Sequence, residues 1–313
     1  HNAPLTSTTG VQVWQFYVRD GGATLNDADN LPTILTAFNI AQGSGNDVGT
    51  WSDAINTVAL FDGSTFIATG TVTANQIQFS GLNISVSDNT QKLLSLRLSL
   101  KCPLGADAFD GEDIVFSISN ANTTFSASGS GKTTFSAQTT PNLTNTISVV
   151  ATQIQYVAQP TTSGVSTTMS PNVVVKAIDS CGNTDLGFSG NITLTSTGTM
   201  TGSPLTATAS SGVATFTNIV HTVIGTGYTM SASATGLTSA TSSVFDITPV
   251  TTLEPGDLAI LAVNTAAESS GSADEISFVC FQDLLPGTTI YLTDNGYERV
   301  TAGLWGDTEG IIS

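Results

Sequence analysis

Residues Leu93–Leu100 read LLSLRLSL, a strict alternation of apolar and polar side chains from Leu94 onwards. Side chains of an extended strand point alternately to opposite faces. The alternation therefore puts four leucines on one face and three polar residues on the other, namely Leu94, Leu96, Leu98 and Leu100 against Ser95, Arg97 and Ser99. One apolar and one polar face are typical of a half-buried strand in a two-layer β-sandwich.

Segments of the same kind recur through residues 1–150, separated by the turn formers Gly, Asn, Asp and Ser. We predict strands at 11–19, 33–41, 55–61, 65–73, 76–86, 92–101, 114–118 and 123–127. Residues 128–150 are rich first in Gly and Ser and then in Thr and Asn, which is typical of a connector. Residues 1–150 are thus predicted to be a β-sandwich module with a C-terminal linker.

A second block spans residues 151–248. Its predicted strands are 153–158, 172–178, 190–196, 205–209, 212–219, 226–234 and 242–247, a number and spacing typical of an immunoglobulin-like sandwich. We find no convincing helical periodicity anywhere in the chain. The sequence therefore predicts an all-β fold of tandem immunoglobulin-like β-sandwich modules.

The second block carries the most specific family pattern. A "QP" follows its first strand, then come the hairpin VVVKAIDSCGN, the strand GVATF and the ending GTGYTMSASATGLTSATSSVFDI. The block resembles the bacterial immunoglobulin-like repeats (Big or invasin-like) of large cell-surface adhesins. The resemblance implies a spacer or adhesive stalk module without catalytic residues. Cys181 departs from the pattern, because such repeats usually carry a small Ser or Ala there.

Residues 249–313 begin a third unit after the linker TPVTTLEP. The stretches GDLAILAVN, FVCFQD, GTTIYLTDNG and WGDTEG resemble a module of very large secreted bacterial proteins, including those of Bacteroidetes type. The first block also resembles repeats of such proteins, through RDGG, DADNLPTIL and LFDG. We expect the third sandwich to be truncated at Ser313 and to pair with neighbouring copies or modules, head to tail or by strand addition.

The charge balance excludes several partners. The 313 residues include 24 acids and only 7 bases, for a formal net charge of −17. Nucleic-acid binding requires clustered Lys and Arg, which this chain lacks. No apolar run reaches the ~18–20 residues that span a membrane, so we expect no membrane insertion. We predict an extracellular, cell-surface protein.

The three cysteines, Cys102, Cys181 and Cys280, are 79 and 99 residues apart, which matches no metal-binding motif. Each falls in a different predicted module, so no disulfide can form within a module. We therefore expect these cysteines to be small buried apolar side chains.

Calcium is the one cofactor that the sequence favours. Asp20, Asp27 and Asp29 follow the first predicted strand, and Asp110 and Asp113 precede the strand at 114–118. If these two strands pair antiparallel, both loops lie at one end and can share an ion through carboxylate ligands. The spacing is not that of an EF-hand, and the alternative is that these residues only form turns.

No catalytic constellation stands out. The two histidines, His1 and His221, accompany no nucleophile elbow, and the acidic clusters lie in predicted turns rather than a cleft. We predict a structural or adhesive stalk or filament element that is not an enzyme. The alternative is an accessory module that binds carbohydrate or another surface polymer, with Trp51 as the best exposed sugar contact and Trp14 in the core.

Overall fold

The computed structural model describes residues 5–130, 137–139, 145–251, 253–254, 256–264, 275–284, 290, 292–293 and 311–312. The first module carries the strands β1 (Val11–Arg19), β2 (Thr33–Gln42), β3 (Ile55–Asp62), β4 (Thr65–Val72), β5 (Gln76–Phe79), β6 (Ile84–Val86), β7 (Gln91–Leu100), β8 (Phe116–Ile118), β9 (Thr123–Phe125) and β10 (Gln138–Thr139). A short helix, α1 (Trp51–Ala54), precedes β3, and single 3-10 turns lie at Gly22–Thr24, Asp107–Phe109 and Asn120–Asn122.

The sheet of the first module folds over at β4. On one side β4 continues the antiparallel order β1-β7-β3-β4, and on the other it pairs through Thr71 and Val72 with β5, which leads to β2 and β8. The two layers face each other across one core, where the ring of Phe16 on β1 meets that of Phe38 on β2 at 5.7 Å. The alternating leucines of β7 lie in this core as predicted, with Leu94 and Leu96 fully buried.

The second module is a sandwich of short sheets. Its strands are β11 (Gln153–Ala158), β12 (Ser163–Gly164), β13 (Val173–Ile178), β14 (Asn191–Ser196), β15 (Leu205–Thr208), β16 (Val213–Phe216), β17 (Gly225–Tyr228), β18 (Met230–Ser233), β19 (Ala240–Thr241) and β20 (Phe245–Thr248). Three sheets, β11-β13-β16, β15-β14-β18-β19 and β12-β20-β17, enclose a second core that includes Val175, Leu194, Met230 and Phe245. Their strands pair antiparallel, except for the parallel pair of β12 with β20. The all-β, immunoglobulin-like fold class is confirmed.

The third unit is described only in part. β21 (Leu258–Asn264) and β22 (Glu275–Cys280) form an antiparallel hairpin, and β23 (Leu292–Thr293) pairs with β24 (Ile311–Ile312). The question of a truncated edge lies mostly outside the described residues, so pairing with neighbouring copies stays a prediction.

Strand directions give the first module two distinct ends. β1 runs antiparallel to β7, with Val11 opposite Leu98 and Arg19 opposite Gln91. Since β7 rises about 3.3 Å per residue, its two ends lie roughly 30 Å apart. We call the end near Leu100 the joint end, because the second module is attached there, and the end near Gln91 the acidic end.

The condition for a calcium site shared by the two acidic loops, antiparallel pairing of the first strand with that at 114–118, is not met. The hydrogen-bonded partner of β1 is β7, not β8. β8 starts at Phe116 opposite Gln42, at the joint end, and so runs in the same direction as β1. The loop after β1 and the loop before β8 therefore lie at opposite ends of the module.

Candidate functional site

A disulfide joins the two modules. Cys102, just after β7, is bonded to Cys181, just after β13, and their Cα atoms are 5.0 Å apart. The expectation that these cysteines are buried apolar side chains is wrong, since Cys102 is exposed and Cys181 half-buried. The bond does not lie within a module, as predicted, but the prediction did not consider a disulfide between modules. Cys280 is a free thiol.

The turn that presents Cys181 is organised by Asp179. Its Oδ1 accepts the backbone N–H groups of Cys181 and Asn183, at 2.8 and 2.9 Å, and its Oδ2 accepts the Asn183 side-chain amide at 2.9 Å. Asn183 is buried, and its Oδ1 accepts the backbone N–H of Leu104 from the first module at 2.8 Å. The turn therefore holds both the covalent bond and a buried hydrogen bond between modules.

Two further carboxylates accept backbone N–H groups near the same joint, and the bond from Leu186 to Asp110 crosses between the modules. Asp110 accepts the N–H of Val149 through Oδ1 and the N–H of Leu186 through Oδ2, both at 2.7 Å. Asp185 accepts the N–H of Ala151 at 2.8 Å, where the connector enters the second module. Charge-assisted hydrogen bonds of this kind are about twice as strong as neutral ones. Together with the disulfide they restrain the orientation of one module relative to the other.

Three carboxylates converge at the acidic end of the first module. Asp20, Asp27 and Asp88 each offer an oxygen atom, and these atoms lie within 4.8 Å of one another. Asp20 is fully buried, whereas Asp27 and Asp88 are half-buried. Asp88 comes from the turn between β6 and β7, so the cluster joins two loops that are distant in sequence.

Asn89 holds the two loops together. Its backbone N–H donates to Asp20 Oδ1 at 2.8 Å, its side-chain oxygen accepts the N–H of Asp27 at 2.7 Å, and its amide donates to Asp88 Oδ2 at 3.0 Å. Gly21 is required at the crossing: its φ is +71°, and an added Cβ would lie 2.3 Å from the nitrogen of Asn26. The turn at residues 19–22 and the turn at Asp88-Asn89 thus fix the three carboxylates in place.

Two carboxylate oxygens of this cluster remain without partners. Asp20 Oδ2 and Asp88 Oδ1 are buried and accept no hydrogen bond. Lys92 forms an ion pair with Asp62, 2.8 Å apart, and no Lys or Arg of the described residues is seen in an ion pair with the cluster. The negative charge is therefore not neutralised by a nearby basic side chain.

The pKa values of the cluster reflect this arrangement. Burial and the negative charges of Asp29, Asp20 and Asp88 raise the pKa of Asp27. For Asp20, burial opposes ionisation, but the Asn89 backbone N–H and the nearby polar groups of Thr33 and Ser130 outweigh it and lower the pKa. Asp20 is therefore an anion at neutral pH that lacks a full set of partners.

The structure brings together only two of the five residues predicted as metal ligands. Asp20 and Asp27 lie in the cluster. Asp29 is in the same loop but accepts the hydroxyl of Ser130 and the N–H of Leu31, which is turn chemistry. Asp110 and Asp113 lie at the joint end, where Asp110 binds the backbone and Asp113 accepts the Thr146 hydroxyl. One ion shared by all five does not fit this fold.

Sequence reasoning missed Asp88. The signal was present, since Asp88-Asn89 separates two predicted strands, and a turn before β7 must lie beside the loop after β1 once those strands pair. The prediction paired β1 with the wrong strand and so chose the wrong second loop.

The side chains considered for other functions are enclosed. Trp51 is fully buried, and its Nε1 donates to Asn46 Oδ1 at 2.9 Å, so its prediction as an exposed sugar contact is wrong. Trp14 lies in the core as predicted, 7% exposed. His221 is only 1% exposed, with Nε2 2.9 Å from Ser196 Oγ, so a substrate cannot reach it. The absence of catalysis stays a prediction.

Helices in the described part of the chain are too short to cross a bilayer.

No protein-family model and no curated protein matches this sequence. Among solved structures, the chain is similar to the fibronectin(III)-like modules of Clostridium thermocellum CbhA, with 11% identity, a TM-score of 0.20 and coverage of 68% of this chain and 85% of that one. It is also similar to the BSP domain of a biofilm-associated protein, with 12% identity, a TM-score of 0.20 and coverage of 75% and 48%. Likenesses this remote carry no argument about function.

Proposed function

We propose that this chain is a spacer segment of an extracellular bacterial surface protein, in which serial β-sandwich modules hold an adhesive or filament-forming part away from the cell. The observation that carries the proposal is the joint between the first two modules. A spacer requires a fixed angle between modules, and the disulfide with its hydrogen bonds supports such a joint.

The disulfide also supports an extracellular location. Disulfides persist in oxidising compartments and are rare in the cytosol, where thiols are kept reduced. Closing a loop with a sequence separation of 79 residues stabilises the folded state by roughly 4–5 kcal/mol in the chain-entropy model. An acidic surface of net charge −17 further favours solubility outside the cell.

The alternative, an accessory module that binds carbohydrate, has less support. Trp14 and Trp51, the tryptophans among the described residues, are both buried, and sugar-binding platforms need exposed aromatic rings. Contacts between copies, head to tail or by strand addition, remain part of the proposal through the third unit.

The proposal is tested by the geometry of the joint in solution. We expect small-angle X-ray scattering of the full chain to give a narrow distribution of inter-module distances. The Cys102→Ser/Cys181→Ser variant should give a broader one, because only hydrogen bonds then hold the modules. Spin labels placed on the two modules would report the same distances directly.

Cys280→Ser is the matched control, because it removes a thiol and leaves the disulfide intact. It should scatter like the wild type. A wild-type chain whose modules already tumble independently would contradict the spacer. Binding to a glycan array by such a flexible chain would favour the carbohydrate-binding alternative.

A further inference from the structure

The acidic end of the first module has the features of a cation site. Asp20, Asp27 and Asp88 bring carboxylate oxygens within 4.8 Å of one another. Clustered acids alone are common on protein surfaces and do not define a site. Here a second observation is independent of the clustering: Asp20 is 0% exposed, and its Oδ2 has no donor in hydrogen-bonding geometry.

A buried carboxylate oxygen without a hydrogen-bond donor is costly, because the folded protein removes its water without supplying a replacement. Asp88 Oδ1 is also buried without a partner, and Asp88 belongs to the same cluster. A cation bound between the carboxylates would replace the missing partners. No Lys or Arg among the described residues is seen in an ion pair with them, and a cation from solution would supply the positive charge.

The ligand chemistry selects the ion. The cluster offers only carboxylate oxygens, with neither His nor Cys, which favours a hard cation over zinc. Ca²⁺ takes six to eight oxygen ligands in a flexible geometry, whereas Mg²⁺ requires a near-ideal octahedron and gives up its water ligands reluctantly. Three carboxylates carried by two different loops therefore favour Ca²⁺.

We propose that Asp20, Asp27 and Asp88 bind one Ca²⁺ ion at the acidic end of the first module. The ion joins the loop after β1 to the turn before β7 and completes the coordination of the unpaired oxygens. Water molecules supply the remaining ligands of its six to eight. The site lies roughly 30 Å from the disulfide along β7, so it acts on the end of the module remote from the joint.

The test is calcium titration of the full chain, by calorimetry and by thermal unfolding after removal of metal with EDTA. Extracellular modules bind Ca²⁺ with Kd values of about 0.1–1 mM. About 10 mM Ca²⁺ should therefore raise the Tm of the first module by about 3–10 °C, with a smaller effect of Mg²⁺. The Asp27→Asn/Asp88→Asn variant should lose one bound Ca²⁺ and this shift.

Asp47→Asn is the control for loss of a carboxylate and is matched in charge to the single variant Asp27→Asn, because it removes one negative charge from an exposed residue of the same module, near its joint end. It should keep the ion and the shift. If the double variant does not fold, Asp27→Asn alone serves, since that carboxylate accepts only a 3.4 Å hydrogen bond from Asp29. Equal calcium binding by wild type and variant, no binding at all, or an equal response to Mg²⁺ would each overturn the proposal.

Discussion

His221 shows how a single buried residue can make the second module sensitive to pH. Its ring lies against Phe245, at 5.3 Å, and Tyr228, at 6.1 Å, and its Nδ1 is buried without a hydrogen-bond partner. Burial lowers the pKa of His221 below its usual value of 6.5. The neighbouring polar groups are the hydroxyls of Ser196 and Tyr228.

We expect the free energy of unfolding of the second module to fall as the pH drops below 6.5. A lowered pKa means that the unfolded chain binds a proton that the folded chain does not, so stability is complete above pH 6.5 and is lost towards the folded-state pKa. The slope approaches about 1.4 kcal/mol per pH unit. The pH dependence of stability would be obtained from urea midpoints measured by circular dichroism between about pH 5.5 and 7.5.

His221→Gln should flatten this slope, because the amide does not titrate, whereas His1→Gln should leave it unchanged. The prediction fails if His221→Gln unfolds with the same pH dependence as the wild type.

The sequence correctly predicted that Trp14 lies in the core and wrongly predicted that Trp51 is exposed, and the difference has a physical cause. Trp14 sits in a strand whose alternation is a local property. Trp51 sits in the polar stretch NDVGTWSDAIN, which suggests a surface loop. Yet α1 turns its ring onto Phe116, 5.2 Å away, and Asn46 satisfies the indole N–H. Side-chain partners of this kind are invisible to composition.

At the scale of elements, β4 depends on a glycine. Gly70 lies where β4 crosses the core, and an added Cβ would lie 2.7–2.8 Å from Val58, Ile77 and Phe79. All three side chains are at most 1% exposed, so they have no room to move away. The absence of a side chain at position 70 therefore lets the two layers approach each other at the fold in the sheet.

We expect Gly70→Ala to destabilise the first module by about 1–3 kcal/mol through overpacking. Gly49→Ala is the control, because an added Cβ there meets nothing within 4 Å. Thermal unfolding of both variants checks the difference. Equal Tm values for the two would contradict the crowding at position 70.

The positions of the strands could be predicted to within a few residues, because the alternation of apolar and polar side chains is a local property. The places where a strand is interrupted could not be predicted. Residues 76–86 were predicted as one strand, and the structure divides them into β5 and β6. Phe79 lies opposite Phe38, and Ile84 lies opposite Leu35. The five residue steps from Phe79 to Ile84 therefore lie beside only three residue steps of β2. The extra residues turn at Gly81, and Leu82 donates its N–H to Thr36 instead. Such a mismatch depends on the partner strand.

At the scale of the whole molecule, the pairing of cysteines is directly measurable. The denatured but unreduced chain should show one thiol, that of Cys280, and the reduced chain should show three. Titration with a thiol reagent in denaturant measures this count. Three thiols before reduction, in protein prepared under oxidising conditions, would contradict the bond between modules.

The arrangement of the whole molecule also explains which residues of the candidate site could be predicted from the sequence. Asp20 and Asp27 were identified from the composition of one loop. Asp88 and the bond from Cys102 to Cys181 both depend on which distant segments meet, and that follows from the order of strands rather than from any motif. Topology was the missing information in both cases.

The disulfide also changes how the chain transmits a pulling force. Tension applied at the two termini passes from Cys102 directly to Cys181 and bypasses the 79-residue interval between them. That interval contains the whole of β8 to β13, and it corresponds to roughly 270 Å of extended polypeptide. Stretching cannot release this length until the bond is reduced. Extensibility under load is therefore set by redox chemistry at one bond.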